Sequence, residues 1–116
     1  MYKFTGLNID HFLQDELIEV SIVQFNIFFK FESNNFINIC GKWSIYNNEN
    51  NVVEEGNAEK HNNSIKAHQL LGQKIKKYEI PNPEELRIIF SNDYSLRIYD
   101  DNTMYECCAI SPNTYI

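Results

Sequence analysis

The chain has 116 residues, 43% of them hydrophobic and 14% aromatic, which predicts a single folded domain, residues 1–116, that needs no disulfide to hold it. Sixteen acidic and ten basic residues give a net charge of −6. This sign argues against nucleic-acid binding, because phosphates repel it, and it favours encounter with a basic protein, although it equally serves solubility alone.

The first half predicts a helical turn followed by strands. Residues 9–18 place Leu13 and Leu17 on one helical face, and residues 19–27 alternate loosely between apolar and polar. From Ile27 to Phe31 the alternation is clean, which is typical of a strand with one face in the core. A polar turn then leads into a strand over residues 36–45, in which Gly41 marks a bulge or bend.

The second half begins after a polar connection over residues 47–70. Within that connection the pattern predicts a short strand at Val52-Val53 and a helical turn ending at Gly72. Strands follow over residues 73–80, 86–90, 94–98 and 104–110, with a rigid loop at Pro81-Asn82-Pro83.

The two halves carry one pattern of apolar residues, residues 13–46 matching residues 71–105. Leu17 corresponds to Ile75 and, after one inserted residue, Phe31 corresponds to Phe90 and Ile39 to Ile98. A repeated unit buries its apolar face against its neighbour, so the two copies are expected to share a core. We therefore predict a mainly β fold: an antiparallel β-sandwich or half-barrel built from two hairpin units, with one or two short helices.

No motif for catalysis, a cofactor or a metal accompanies this pattern, so we expect no enzyme. His61 and His68 lack the spacing of zinc ligands, and the acidic pairs fall in turns, where carboxylates are solvated. Cys107 and Cys108 are expected on opposite faces of a strand, one in the core and one half exposed.

The cysteines and the apolar stretches also bear on where the protein resides. Three cysteines without framework spacing indicate reduced thiols. With no apolar run of signal-peptide or membrane-spanning length, they favour a cytoplasmic location.

Trp43 has two interpretations. A lone tryptophan on a strand is usually a core residue whose ring N–H bonds a backbone carbonyl, and here it would share a face with Ile39, Gly41 and Ile45. Tryptophan is also enriched at interface hot spots, so it could anchor a partner.

The end of the second hairpin is the predicted contact surface for a partner protein. Antiparallel pairing would bring the acidic turns before and after this hairpin to the same end, together with nearby phenols. An anionic and aromatic patch of this kind suits lysine and arginine side chains of a partner. The residues assigned to it are Glu84, Glu85, Tyr99, Asp100, Asp101, Tyr105 and Glu106.

The chain resembles a family of small bacterial two-repeat β domains. The resemblance in the second copy rests on Leu71-Gly72, Ile75, residues 85–90, residues 96–98 and Tyr105-Glu106; in the first it rests on residues 43–45 and 52–56. The first copy departs from the second at one turn, where Gln14-Asp15 stands in place of Gly72-Gln73.

Members of this kind resemble immunity proteins of polymorphic-toxin and contact-dependent growth-inhibition systems. The resemblance implies a non-enzymatic inhibitor that occludes the active site of one cognate toxin domain, expected to be a basic nuclease. Two alternatives stay open: a small-molecule or peptide-binding module with a cleft between the repeats lined by Trp43 and tyrosines, and a hydrolase built on Cys108 or His68, which would then lie close together.

Overall fold

The computed structural model describes residues 4–58, 66–100, 107–112 and 114–116. Two 3-10 turns, Asp10–Phe12 and Lys66–Leu70, precede the two sets of strands. The strands in chain order are β1 (Leu17–Ile22), β2 (Ile27–Phe31), β3 (Phe36–Ile39), β4 (Lys42–Tyr46), β5 (Val52–Asn57), β6 (Ile75–Asn82), β7 (Glu85–Phe90), β8 (Ser95–Tyr99), β9 (Cys108–Ile110) and β10 (Thr114–Tyr115).

The strands form two antiparallel sheets that enclose one core, so the prediction of a mainly β, sandwich-like fold is confirmed. The first sheet has the order β1-β2-β3-β9-β10 and the second the order β6-β7-β8-β4-β5. Alternate residues of both sheets point inward, because burial of one face drives their packing. The core residues from the central strands are Ile27, Phe29, Phe31, Ile37, Ile39, Trp43, Ile45, Leu86, Ile88, Phe90, Leu96 and Ile98.

Each half of the chain contributes strands to the sheet that is formed mainly by the other half. After β3 the chain crosses over, and β4 pairs with β8 through Trp43 and Ile98. After β8 it crosses back, and β9 pairs with β3 through Cys108 and Ile39. The single strand predicted over residues 36–45 is therefore wrong, because the chain changes sheets at Gly41, and β3 and β4 do not share a face.

The turns of the two halves have the same backbone conformation despite their different residues. Gln14 has a φ of 68° and Gly72 a φ of 82°, both in the left-handed region. The Gln14 N–H donates to the carbonyl of Ile75 at 2.8 Å, and the Gly72 N–H donates to the carbonyl of Leu17 at 2.9 Å. The change from glycine to glutamine thus leaves the turn geometry intact.

The turns also join the two sheets at one corner. Glu16, just before β1, forms an isolated antiparallel bridge with Lys74, just before β6. The Leu17 N–H donates to the carbonyl of Gln73, and the Ile75 N–H donates to that of Asp15. These reciprocal bonds relate the edge strands β1 and β6 by an approximate twofold axis.

Trp43 is a core residue, 2% exposed, which excludes the exposed-anchor interpretation for this conformation. Its indole lies against the backbone of Gly56, its partner across β4 and β5, where a β-carbon would be only 3.1 Å from Cζ2. The expected bond to a backbone carbonyl is not formed: Nε1 is buried and has no partner among the described residues. Within the same ranges no helix is long and apolar enough to cross a membrane.

Candidate partner-binding face

The solvent-facing side of the second sheet, which we call the outer face, carries tyrosines and arginines. In β7 and β8 the core takes Leu86, Ile88, Leu96 and Ile98. Arg87 and Arg97 lie between these pairs, so strand alternation turns them outward. Tyr46 and Tyr99 project on the same side, at opposite ends of neighbouring strands.

Strand register aligns five residues of the outer face into one line, which we call the transverse row. Ser44 lies opposite both Glu55 and Arg97, Arg97 lies opposite Arg87, and Arg87 lies opposite Glu79. Four strand spacings of about 4.8 Å separate the two glutamates by roughly 19 Å. The row therefore reads acidic, neutral, basic, basic, acidic. Like charges directly opposite one another destabilise a sheet, so the pairing of the two arginines across β7 and β8 does not itself contribute to stability.

Arg97 is held in place by uncharged groups. Its guanidinium lies 3.5 Å from the ring centroid of Tyr46, a cation–π stack. Its Nη2 donates to Oδ1 of Asn50 at 2.6 Å, and its Nε donates to Oγ of Ser95 at 3.3 Å. No carboxylate within the described ranges forms an ion pair with Arg97. Its positive charge is thus oriented but not neutralised.

Arg87 differs from Arg97 because it has a carboxylate beside it. Nε of Arg87 donates to Oε2 of Glu85, two residues earlier on the same face, and Asn82 Nδ2 donates to Oε1 of Glu85 at 3.4 Å. Glu85 is only 8% exposed. The ion pair thus keeps a buried carboxylate satisfied and fixes the side chain of Arg87.

Tyr99 links the outer face to the end of the hairpin. Its hydroxyl shares a 2.7 Å hydrogen bond with the hydroxyl of Ser44, and Lys42 Nζ lies 5.4 Å from its ring centroid. Burial raises the pKa of the Tyr99 phenol, partly opposed by the bond to Ser44. The phenol therefore stays neutral at physiological pH and remains a hydrogen-bonding group.

Four residues of the predicted acidic patch come together at one end of the outer face. Glu85 lies opposite Tyr99, and the Asp100 N–H donates to the carbonyl of Glu84 at 2.8 Å. Glu84 is exposed, whereas Glu85 and Asp100 are each 8% exposed. The remaining three, Asp101, Tyr105 and Glu106, lie outside the described residues. Glu84 is therefore the exposed carboxylate among the four placed residues.

Sequence reasoning missed the arginine pair, although a signal for it was present. Leu86-Arg87-Ile88 and Leu96-Arg97-Ile98 each place an arginine between two core residues. The tight turn at residues 91–93 fixes the register that sets these arginines opposite one another. Asn50, which holds Arg97 from the turn between β4 and β5, had no local signal, because that contact spans 47 residues.

The cysteines are not placed as expected. Cys107 precedes β9, so strand alternation does not separate it from Cys108; both are buried, with their sulfurs 3.7 Å apart. The hydrogen bond with Cys107 and burial raise the pKa of the Cys108 thiol well above its usual value. A hydrolytic nucleophile needs the opposite shift, and His68 lies on the surface. Within the described part of the chain no three His, Cys, Asp or Glu residues converge as metal ligands.

The cleft interpretation has little geometric support. Trp43, which that interpretation places in the wall, is a core residue. Two shallow depressions occur at the edges of the second sheet, one beside Lys42 and Glu55 and the other beside Pro81 and Pro83. The first is lined by residues of β4 and β5 alone, the second lies between Thr5-Gly6 and the end of β6, and both are open to solvent.

Comparison of the chain with protein-family models, with curated protein sequences and with solved structures finds no match. The function must therefore be argued from the outer face and the charge of the molecule.

Proposed function

We propose that this chain is an immunity-type inhibitor that binds one toxin domain, a basic nuclease, and covers its active site. The observation that carries the proposal is the outer face. It is a five-stranded surface with two tyrosines and two arginines held by packing and hydrogen bonds. Tyrosine and arginine are enriched at binding hot spots, because they bury a large area while keeping a polar group for the partner.

The charge of the molecule supports a basic partner. A net charge of −6 attracts a nuclease, which needs cations to hold phosphates, and this attraction accelerates encounter. Glu84 at the hairpin end and Glu55 at the sheet edge are exposed carboxylates on the rim of the outer face. Rim charges act mainly on the association rate and are screened over about 8 Å at physiological ionic strength.

Co-expression with the toxin domain that the proposal expects to be encoded beside this gene tests the proposal. Cells making the toxin alone should stop growing, and cells making both proteins should grow. The purified proteins should form a complex whose association rate falls at least tenfold between 50 and 500 mM salt, an order-of-magnitude expectation for steered association. Failure of the chain to restore growth, or to bind the toxin, would refute the proposed function.

A matched pair of variants localises the contact. Glu84→Gln removes an exposed charge at the hairpin end, and Glu32→Gln removes one from an exposed turn of the first sheet. Both change the net charge equally, so they affect general attraction alike. We expect Glu84→Gln to slow association several-fold more than Glu32→Gln. Equal rates for the two variants would place the contact elsewhere on the molecule.

A further inference from the structure

We propose that Arg97 and Arg87 bind a pair of carboxylates in the active site of the partner, while Glu79 and Glu55 meet cations on either side. This inference rests on the proposed function and goes beyond it by assigning the partner chemistry of each part of the transverse row. It adds a basic centre to a contact surface that the sequence predicted to be anionic.

The first support is the order of charges. The transverse row places two cations between two anions over roughly 19 Å, as judged from strand spacing. Its complement is a pair of carboxylates flanked by cations. A metal-dependent nuclease presents that arrangement, since carboxylates hold its catalytic ions and neighbouring lysines or arginines hold the phosphates. A nucleic acid does not fit, because its phosphates would meet both glutamates.

The second support is that Arg97 is held in a fixed orientation and keeps N–H donors for an anion. A guanidinium has five N–H donors, and the bonds to Asn50 and Ser95 use two, which leaves three. Stacking on Tyr46 holds the plane of the guanidinium, so little rotamer entropy is lost when a carboxylate arrives. Since no described carboxylate pairs with Arg97, a partner carboxylate would not have to displace one.

The third support is the contrast between the two arginines. Arg87 gives Nε to Glu85 and Arg97 gives Nε to Ser95, each two residues earlier on its own strand, so in these antiparallel strands the two side chains lean toward opposite ends of the outer face. The Glu85 pair lowers the local positive charge and the divergence separates the two guanidinium groups, so both cations are tolerated on neighbouring strands of the unbound protein. Two guanidinium groups separated in this way match two carboxylates better than they match one.

Affinity measurements with the toxin domain test the inference. Arg97→Gln should weaken binding about 30-fold or more, because truncating one partner of a desolvated charge pair leaves the other unpaired. Arg97→Lys should also weaken it, by about tenfold, since an ammonium cannot reproduce a stacked, planar fork. The control is Lys30→Gln on the outer face of the first sheet, which removes the same charge and should change affinity less than twofold. Melting temperatures within about 2 °C of wild type establish that each variant is folded.

A metal-ion readout distinguishes carboxylate binding from simple covering. Mn²⁺ bound to the toxin domain should be released when the wild-type chain is added, as followed by the electron paramagnetic resonance of the freed ion. An Arg97→Gln chain at a saturating concentration should release less. If the toxin keeps its Mn²⁺ in the complex, or if Arg97→Gln binds within threefold of wild type, the inference is overturned while the inhibitor function stands. If the wild-type chain does not bind at all, the proposed function falls, and this inference falls with it.

Discussion

The left-handed turn that occurs once in each half allows the free-energy cost of a non-glycine residue with positive φ to be measured in isolation. Gln14 has a φ of 68° and is exposed, while Gly72 has a φ of 82° in the equivalent position. A β-carbon at Gly72 would meet nothing within 4 Å, so a substitution there changes conformational energy without a steric clash. Gln14→Gly and Gly72→Ala therefore perturb the same turn in opposite directions.

The expected magnitudes follow from two opposing terms. Holding an L-residue in the left-handed region costs roughly 1–2 kcal/mol, and glycine loses about 0.5–1 kcal/mol more backbone entropy on folding. Gln14→Gly should therefore raise the free energy of unfolding by about 0.5–1 kcal/mol. Gly72→Ala should lower it by about 1 kcal/mol, which corresponds to a melting temperature about 4 °C lower in a domain of this size.

Urea unfolding at 25 °C followed by tryptophan fluorescence gives both values, since Trp43 is buried in the core. Gln14→Ala is the control: it removes the side chain beyond Cβ but keeps the φ penalty, so it should match wild type. If Gln14→Gly destabilises the protein, or if Gly72→Ala is neutral, the left-handed turn does not limit stability and the reasoning is wrong.

Three further outcomes are expected. Gly56→Ala should lower the free energy of unfolding by about 1–3 kcal/mol in urea, because its β-carbon would press on the indole of Trp43; a neutral result would show that the ring has room to move. The half-buried Cys40 should react with a thiol reagent before the two buried cysteines, and a single fast phase that survives Cys40→Ser would contradict this order. The hydrogen bond to Asp10 raises the pKa of the Tyr78 phenol. The stabilising contribution of this bond is therefore present below pH ~10 and is lost as the pH rises through the pKa of the folded state. In chemical denaturation as a function of pH, wild type should lose more stability than Tyr78→Phe above pH ~10.

Local sequence determines much of this fold. Alternation identified the inward residues of β2, β7 and β8, because the period of a strand is set by its own backbone. The crossover at Gly41 could not be predicted in the same way. The apolar pattern continues across it, and the pairing of β4 with β8 joins residues about fifty positions apart, a choice made by the core as a whole.

The sequence predicted which residues of the candidate site lie close together better than it predicted which of their charges are exposed. The hairpin register brings Glu84, Glu85, Tyr99 and Asp100 together, as their order in the sequence suggests. Their exposure depends on side-chain contacts that composition does not contain. Glu85 faces Arg87 because residues two apart in a strand share a face. The carboxylate of Glu85, which the sequence predicted to contact a partner, therefore forms an ion pair within the protein.

The exchange of strands between the two halves, β4 into the second sheet and β9 into the first, has a consequence for how the molecule folds. Neither half can complete its own sheet, so neither half alone has a complete core. The connectivity is that of a domain-swapped dimer whose two subunits are joined in a single chain. The hairpins can form locally, but completing either sheet requires distant segments to pair, β4 with β8 and β3 with β9, so we expect slow formation of the core and a single cooperative unfolding transition. Two fragments separated between β5 and β6 would each carry a hairpin that completes the sheet of the other, so each would act as the folding template of its counterpart.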